Sequence, residues 1–190
     1  MTIYTRLIDA LWLVFIAYWA IAAVHSKSNV GRRLWSRHIG LRLAVIVLVV
    51  LALRVPIVHD TFRRAQEHVA SSAVSGAIGL ICCALGIGLA IWARVHLGRN
   101  WGMPMSRKLN PELVATGPYA FVRHPIYSGI ILAMLGSTIG GRPFLMLPLV
   151  LIGTYFVFSA QREEAFMVTQ FPEQYLAYMK RTKMLLPFVF

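Results

Sequence analysis

Twenty-one consecutive residues, Ala73 to Ala93, pass without a charged side chain. A run of that length and polarity is long enough to cross a bilayer, and in lipid its backbone must close its own hydrogen bonds as a helix. Ser75, Gly76, Gly79, Gly86 and Gly88 lie within it. They form no strict GxxxG pattern, yet residues this small let helices approach closely and also permit dimerisation.

Four further apolar runs accompany it. Leu7–Val24 has 18 residues and spans ~27 Å as a helix, with Asp9 near its outer end, within reach of headgroup water. It is too long for a signal-peptide core and no small-x-small cleavage site follows, so it reads as a retained span. Leu43–Val58 carries Arg54 near its far end, where the side chain snorkels to the interface. Ile126–Ile139 is short, begins behind Pro125 and ends at the turn Gly140-Gly141-Arg142-Pro143. Phe144–Phe158 contains Pro148. The last two runs read as a helical hairpin that crosses at reduced length or with tilt. The expected fold is all-α and polytopic, with about five transmembrane helices.

Composition agrees. Hydrophobic residues make up 58% of the chain and charged ones 14%, against about 25% charged in soluble domains. The net charge is +12. The basic residues sit in short runs between apolar stretches, not along one soluble face. That pattern fits positive-inside topology and contact with anionic membrane lipids, not nucleic acid. Fourteen of the nineteen Lys and Arg residues fall on one inferred side, in His25–Arg42, in Arg94–Arg123 and in the tail from Arg162 onward. Arg6, Arg54, Arg63, Arg64 and Arg142 fall on the other. The richer side is expected to face the cytoplasm, with the N-terminus outside and the C-terminus inside. Cys82 and Cys83 are adjacent and read as small buried residues, not a disulfide.

The chain changes character near Arg94. Residues 1–93 read as plain transmembrane helices, and residues 94–190 concentrate polar, aromatic, Gly and Pro residues around the membrane surface. Two segments there are too polar for lipid-facing filler: Leu113–Gly129, and Gln161–Tyr178. The short hairpin between them brings both to the same membrane face. In the first, Thr116-Gly117-Pro118 is turn chemistry, and Gly permits close approach of a ligand to backbone. Arg123 and His124 precede Pro125, a residue suited to a helix's first position, where free N–H groups attract anions. Tyr119, Phe121 and Tyr127 supply flat faces with polar handles; an interfacial aromatic belt accounts for the same residues equally well. In the second, Glu163 and Glu164 follow an apolar span. Each is an exposed helix face or a partner for a cationic ligand. Phe166, Phe171, Tyr175 and Tyr178 suit packing of a surface helix broken at Pro172. His25, His38, His59, His68 and His96 show no metal-ligand spacing, and no metal site is expected. No GxGxxG follows a strand and no nucleophile elbow is present, which excludes a soluble dinucleotide-type fold and a serine hydrolase.

The second half resembles the isoprenylcysteine carboxyl methyltransferase family, within the wider group of membrane methyltransferases that includes phospholipid N-methyltransferases. The carrying residues are Leu97-Gly98-x-Asn100-Trp101, Leu113-Val114-x-Thr116-Gly117-Pro118-Tyr119, Arg123-His124-Pro125-x-Tyr127-x-Gly129, Glu163-Glu164 and Tyr175-x-x-Tyr178-x-x-Arg181. The set is specific in order and spacing from about Arg94 to Pro187; no single piece is. The resemblance implies a cytosolic-facing pocket for S-adenosylmethionine, lined by Thr116, Gly117, Tyr119, His124, Tyr127 and Glu164, with a lipophilic substrate entering from the membrane. His124 and free N–H groups would meet the methionine carboxylate, and Glu164 its amino group or, for an amine acceptor, the acceptor's proton. Family members acting on a carboxylate carry an arginine five residues before the second glutamate; here Ser159 stands there, and Arg162, the nearest basic residue, is the candidate catalytic group in its place if the helix register or the substrate differs. The Asn-Phe-Asn-His stretch of those members is Asn100-Trp101-Gly102-Met103 here. A phospholipid N-methyltransferase, a sterol-reductase-like enzyme and a non-catalytic membrane protein remain the alternatives.

Overall fold

The computed structural model describes residues 2–23, 72–98 and 113–187. Among them stand five α-helices: α1 (Ile3–Ala23), α2 (Ala73–Leu97), α3 (Pro125–Ile139), α4 (Met146–Gln170) and α5 (Pro172–Arg181). Single 3-10 turns occur at Gly117–Ala120 and Pro143–Leu145. Three stretches, Ile3–Ala22, Ala73–Leu97 and Pro143–Gln170, are long and apolar enough to cross a membrane, and Pro125–Ile139 is a shorter apolar helix. The chain is thus an all-α, polytopic membrane protein with three such helices among the described residues. The expected run Leu43–Val58 lies outside those residues, as does the Asn100–Met103 stretch.

Local chemistry sets the boundaries. Ser72 caps α2, its Oγ accepting from Ser75 N at 3.1 Å, and Gly98 closes the helix with φ 53°. Pro125 opens α3, and Gly140 ends it. The hairpin expected from sequence is asymmetric. Its second arm does not stop near Phe158 but runs unbroken through Gln170, about 37 Å at the usual helical rise. Pro148 causes no break, because it sits in the first turn of α4, where backbone N–H groups have no helical partner anyway. Glu163 and Glu164 therefore belong to the spanning helix itself. The boundary drawn at residues 93 and 94 falls inside α2, which continues to Leu97.

Helices α2 and α3 run antiparallel, backbone against backbone. A methyl group added at Gly79 would collide with the Gly140 backbone, and one at Gly86 with that of Ala133. One at Gly136 would collide with the backbone of Cys83. The small residues of α2 serve packing within the chain. Helix α1 runs parallel to α2: Tyr4 covers Gly76 near one end, and Arg94 donates to the Ala22 carbonyl at 2.6 Å near the other. Ile8, Phe15, Cys83, Ile87, Ala90 and Ala133 form the apolar core of the three. Trp12 Nε1 donates to Ser137 Oγ at 2.9 Å, linking α1 to α3. Asp9 pairs with Arg142 in the turn after α3, at 2.5 and 2.6 Å. Leu147, Val150 and Leu151 of α4 stay exposed, as a lipid-facing surface does. This packing leaves Asp9 and Arg142 at one end of the bundle. His96, the 117–120 turn, His124 and Glu163 gather at the other.

Candidate functional site

With Pro125 at the first position of α3, His124 is held just outside the helix with non-helical backbone (φ −126°, ψ 60°). The segment after α5 fixes this stretch from one side. Arg123 N donates to Lys183 O at 2.9 Å and His124 N to Met184 O at 3.1 Å. Ser128 Oγ donates to Leu185 O at 2.6 Å, and Val122 pairs with Lys183 in a parallel bridge.

Helix α4 supplies the carboxylates from the other side. Arg123 Nε donates to Glu164 Oε1 at 2.6 Å and Nη2 to Oε2 at 3.3 Å. Arg123 Nη1 reaches the Thr182 carbonyl. The imidazole of His124 lies between the two acids, with Nε2 at 3.2 Å from Glu164 Oε1 and Nδ1 at 3.6 Å from Glu163 Oε2. Tyr127 OH donates to Glu163 Oε1 at 2.6 Å. Its ring lies parallel to His124 at 5.4 Å and to Phe156 at 4.4 Å. Glu164 is 10% exposed and Glu163 28%. Glu164 is thus engaged by Arg123 and His124, whereas Glu163 is the more exposed of the two acids.

The 117–120 turn packs alongside. Tyr119 shares one buried cluster with Tyr127, Phe156, Ala160, Met184 and Leu185. Its carbonyl accepts from Tyr178 OH at 2.6 Å. Burial pushes the hydroxyls of Tyr119 and Tyr175 above the usual tyrosine range, and that of Tyr178 up to about 12 despite the opposing pull of Arg123. Gly117 adopts φ 59°, a left-handed conformation that favours glycine, and Thr116 Oγ1 lies 2.8 Å from His96 Nε2.

The structure brings His124, Tyr127 and Glu164 into one connected cluster and sets Thr116, Gly117 and Tyr119 on the adjoining turn. Arg162 does not join them: it is exposed, and its guanidinium lies 4.6 Å over the Phe158 ring, a cation–π contact on the outer side of α4. Ser159 is fully buried. The resemblance gives Arg123 and Glu163 no place in the cofactor pocket, and residue types alone assign nothing to Ser128 or His96. The first two were visible as neighbours of assigned residues. His96 had no signal, because its partner lies 20 positions away and was sought among metal ligands. Among the described residues, no group of three His, Cys, Asp or Glu side chains is arranged to hold a metal ion.

Known proteins share this half of the chain. The profile of the phospholipid methyltransferase family matches residues 74–174. The Protein-S-isoprenylcysteine O-methyltransferase of Schizosaccharomyces pombe is 30% identical over 119 residues, which are 60% of this chain and 50% of that protein. The chain thus spans about half the length of that relative. The family match begins at the second residue of α2 and ends in α5, so it takes in α2, the 117–120 turn, the Arg123-His124-Pro125 element and both glutamates. It covers just over half of the 190 residues, and on that match the chain belongs to the phospholipid methyltransferase family.

Proposed function

We propose that the chain is an S-adenosylmethionine-dependent methyltransferase that modifies a lipophilic acceptor within the membrane. The observation that carries this reading is the His124 cluster. An imidazole held between two glutamates, on a spanning helix and beside a glycine turn, offers partners for each charged part of the cofactor. Glu163, the more exposed acid, suits an ammonium or sulfonium. His124 and the Gly117 N–H suit a carboxylate. The residues present fit the group. When bound, S-adenosylmethionine supplies an electrophilic methyl group.

The protein's own contribution is positioning and exclusion of water. Tyr127 orients Glu163. Glu164 holds Arg123 and the imidazole, which fixes both to α4. This supports a supporting role for Glu164 and a ligand role for Glu163. The family membership supports a catalytic core in residues 94–190, with residues 1–93 as its membrane frame, although α2 serves both. The fourteen-to-five charge asymmetry supports a site facing the cytoplasm, an outside N-terminus and about five spans in all.

For the acceptor, the position of Arg162 over Phe158 favours an amine lipid over a prenylcysteine-like carboxylate. A carboxylate needs a cation beside the transferred methyl, and Arg123 is already engaged by Glu164. The test is to incubate the full chain in detergent with methyl-labelled S-adenosylmethionine and a total lipid extract. A labelled lipid is the expected product, with the label on an amine headgroup. A labelled methyl ester would reverse the choice of acceptor, and no labelled lipid would overturn the proposal.

A further inference from the structure

One imidazole meets Thr116, Gly117 and Tyr119, at the start of the 117–120 turn and within it. His96 Nε2 lies 2.8 Å from Thr116 Oγ1. Its ring covers Gly117 so closely that a Cβ there would stand 2.7 Å from Cε1. It also stacks on Tyr119 at 6.5 Å with an interplanar angle of 27°. Glycine is therefore required at 117 twice, for its φ of 59° and for the room the ring occupies.

The position of that ring is fixed by the bundle. His96 lies in the last turn of α2, and α2 is locked to α3 by the glycine contacts described above. Helix α3 in turn carries Tyr127 and follows His124. The turn has a second hold on its far side, where Tyr178 OH binds the Tyr119 carbonyl. His96 and Tyr178 thus grip the turn from two helices, and His96 ties it by a side-chain hydrogen bond to α2, the partner of α3.

We propose that His96 is a positioning residue that sets the Thr116–Tyr119 turn for the cofactor without touching the cofactor itself. This rests on the function proposed above. The hydrogen bond fixes Thr116, and the ring face blocks rotation of the Gly117 peptide, so the Gly117 N–H is presented in one orientation. A preorganised site binds more tightly because less ordering remains to be done on binding.

The experiment compares wild type, His96→Ala and His96→Gln as full chains in detergent, by calorimetric titration with S-adenosylmethionine and by thermal unfolding without it. Alanine is expected to weaken the cofactor by about tenfold, while the unfolding midpoint stays close to wild type. Glutamine, which keeps a polar group within reach of Thr116 Oγ1, is expected to recover most of the affinity. With saturating cofactor, kcat is expected within about twofold of wild type, a change confined to cofactor binding. Equal affinity of wild type and His96→Ala would overturn the inference and leave the function standing. So would a glutamine variant as weak as alanine, or an alanine variant whose loss follows a collapse of the unfolding midpoint. A wild-type chain that binds no S-adenosylmethionine would overturn the function and this inference together.

Discussion

Arg123 and Glu164, 41 residues apart, meet in a two-pronged ion pair with each side chain only 10% exposed. The guanidinium also reaches the Thr182 carbonyl. One side chain thus joins the segment before α3, the last turns of α4 and the segment after α5. Planar guanidinium chemistry suits this arrangement, since a lysine offers no second prong at fixed geometry.

Removing one member of such a pair leaves the other charge buried. Arg123→Ala is expected to cost about 3 kcal/mol of stability, and Arg123→Lys less, because one charge-assisted bond survives. Thermal unfolding of the single and double variants with Glu164→Ala measures the coupling. A coupling below about 0.5 kcal/mol would mark the pair as a solvent-screened surface contact instead.

The glycines of α2 make a contrast within one helix. A methyl at Gly79 or Gly86 meets α3 backbone, which cannot yield cheaply, whereas one at Gly88 meets nothing within 4 Å. Gly86→Ala is expected to lower the unfolding midpoint by several degrees, corresponding to about 1–3 kcal/mol of overpacking. Gly88→Ala is expected to be neutral or slightly stabilising. Similar midpoints for the two variants would show that α2 and α3 are not packed backbone to backbone.

The Tyr178 hydroxyl gives a pH dependence. Its hydroxyl is raised to about 12, by burial first, against about 10 for an exposed tyrosine. The folded state therefore holds this proton more firmly than the unfolded state. Its contribution is complete below about pH 10. It is lost as the pH rises through about 12. At pH 8, Tyr178→Phe is expected to cost about 1 kcal/mol, the hydrogen bond to the Tyr119 carbonyl. Unfolding measured at pH 8 and pH 11 should show the gap between wild type and variant narrowing. A gap that widens would place the ionisation elsewhere.

Much of this architecture is written in local pattern. The charge-free run of α2 announces a spanning helix, and the Gly140–Pro143 turn falls where its residues predict, because both depend on neighbours in sequence. The effect of Pro148 is not local: proline breaks a helix interior but not a first turn, and its register within α4 is set by where the helix starts. The site divides in the same way. Thr116, Gly117, His124 and Tyr127 stand out by type and spacing. The partition of work between Glu163 and Glu164 depends on which helix face meets Arg123, and adjacent residues in a helix point about 100° apart. The contact between His96 and Thr116 exists only once α2 and the turn are folded against each other.

That partition leads to the sharpest test of the site. The sequence resemblance directs attention to Glu164, but the structure engages it with Arg123 and His124 at 2.6 and 3.2 Å. Glu163 is oriented by the Tyr127 hydroxyl and is 28% exposed. Glu163→Gln keeps the shape and a partner for Tyr127 while removing the negative charge. It is expected to weaken S-adenosylmethionine by about tenfold or more, a charge-assisted contact of about 1.5–3 kcal/mol, with little change in thermal stability. Glu164→Gln removes the charge from the buried pair, so its main effect should appear in the unfolding midpoint, with any loss of affinity following from the displaced imidazole. Calorimetry and unfolding on the same preparations separate the two. If Glu164→Gln loses cofactor affinity at an unchanged midpoint while Glu163→Gln binds normally, the roles are reversed, and the Arg123–Glu164 pair must open when the cofactor enters.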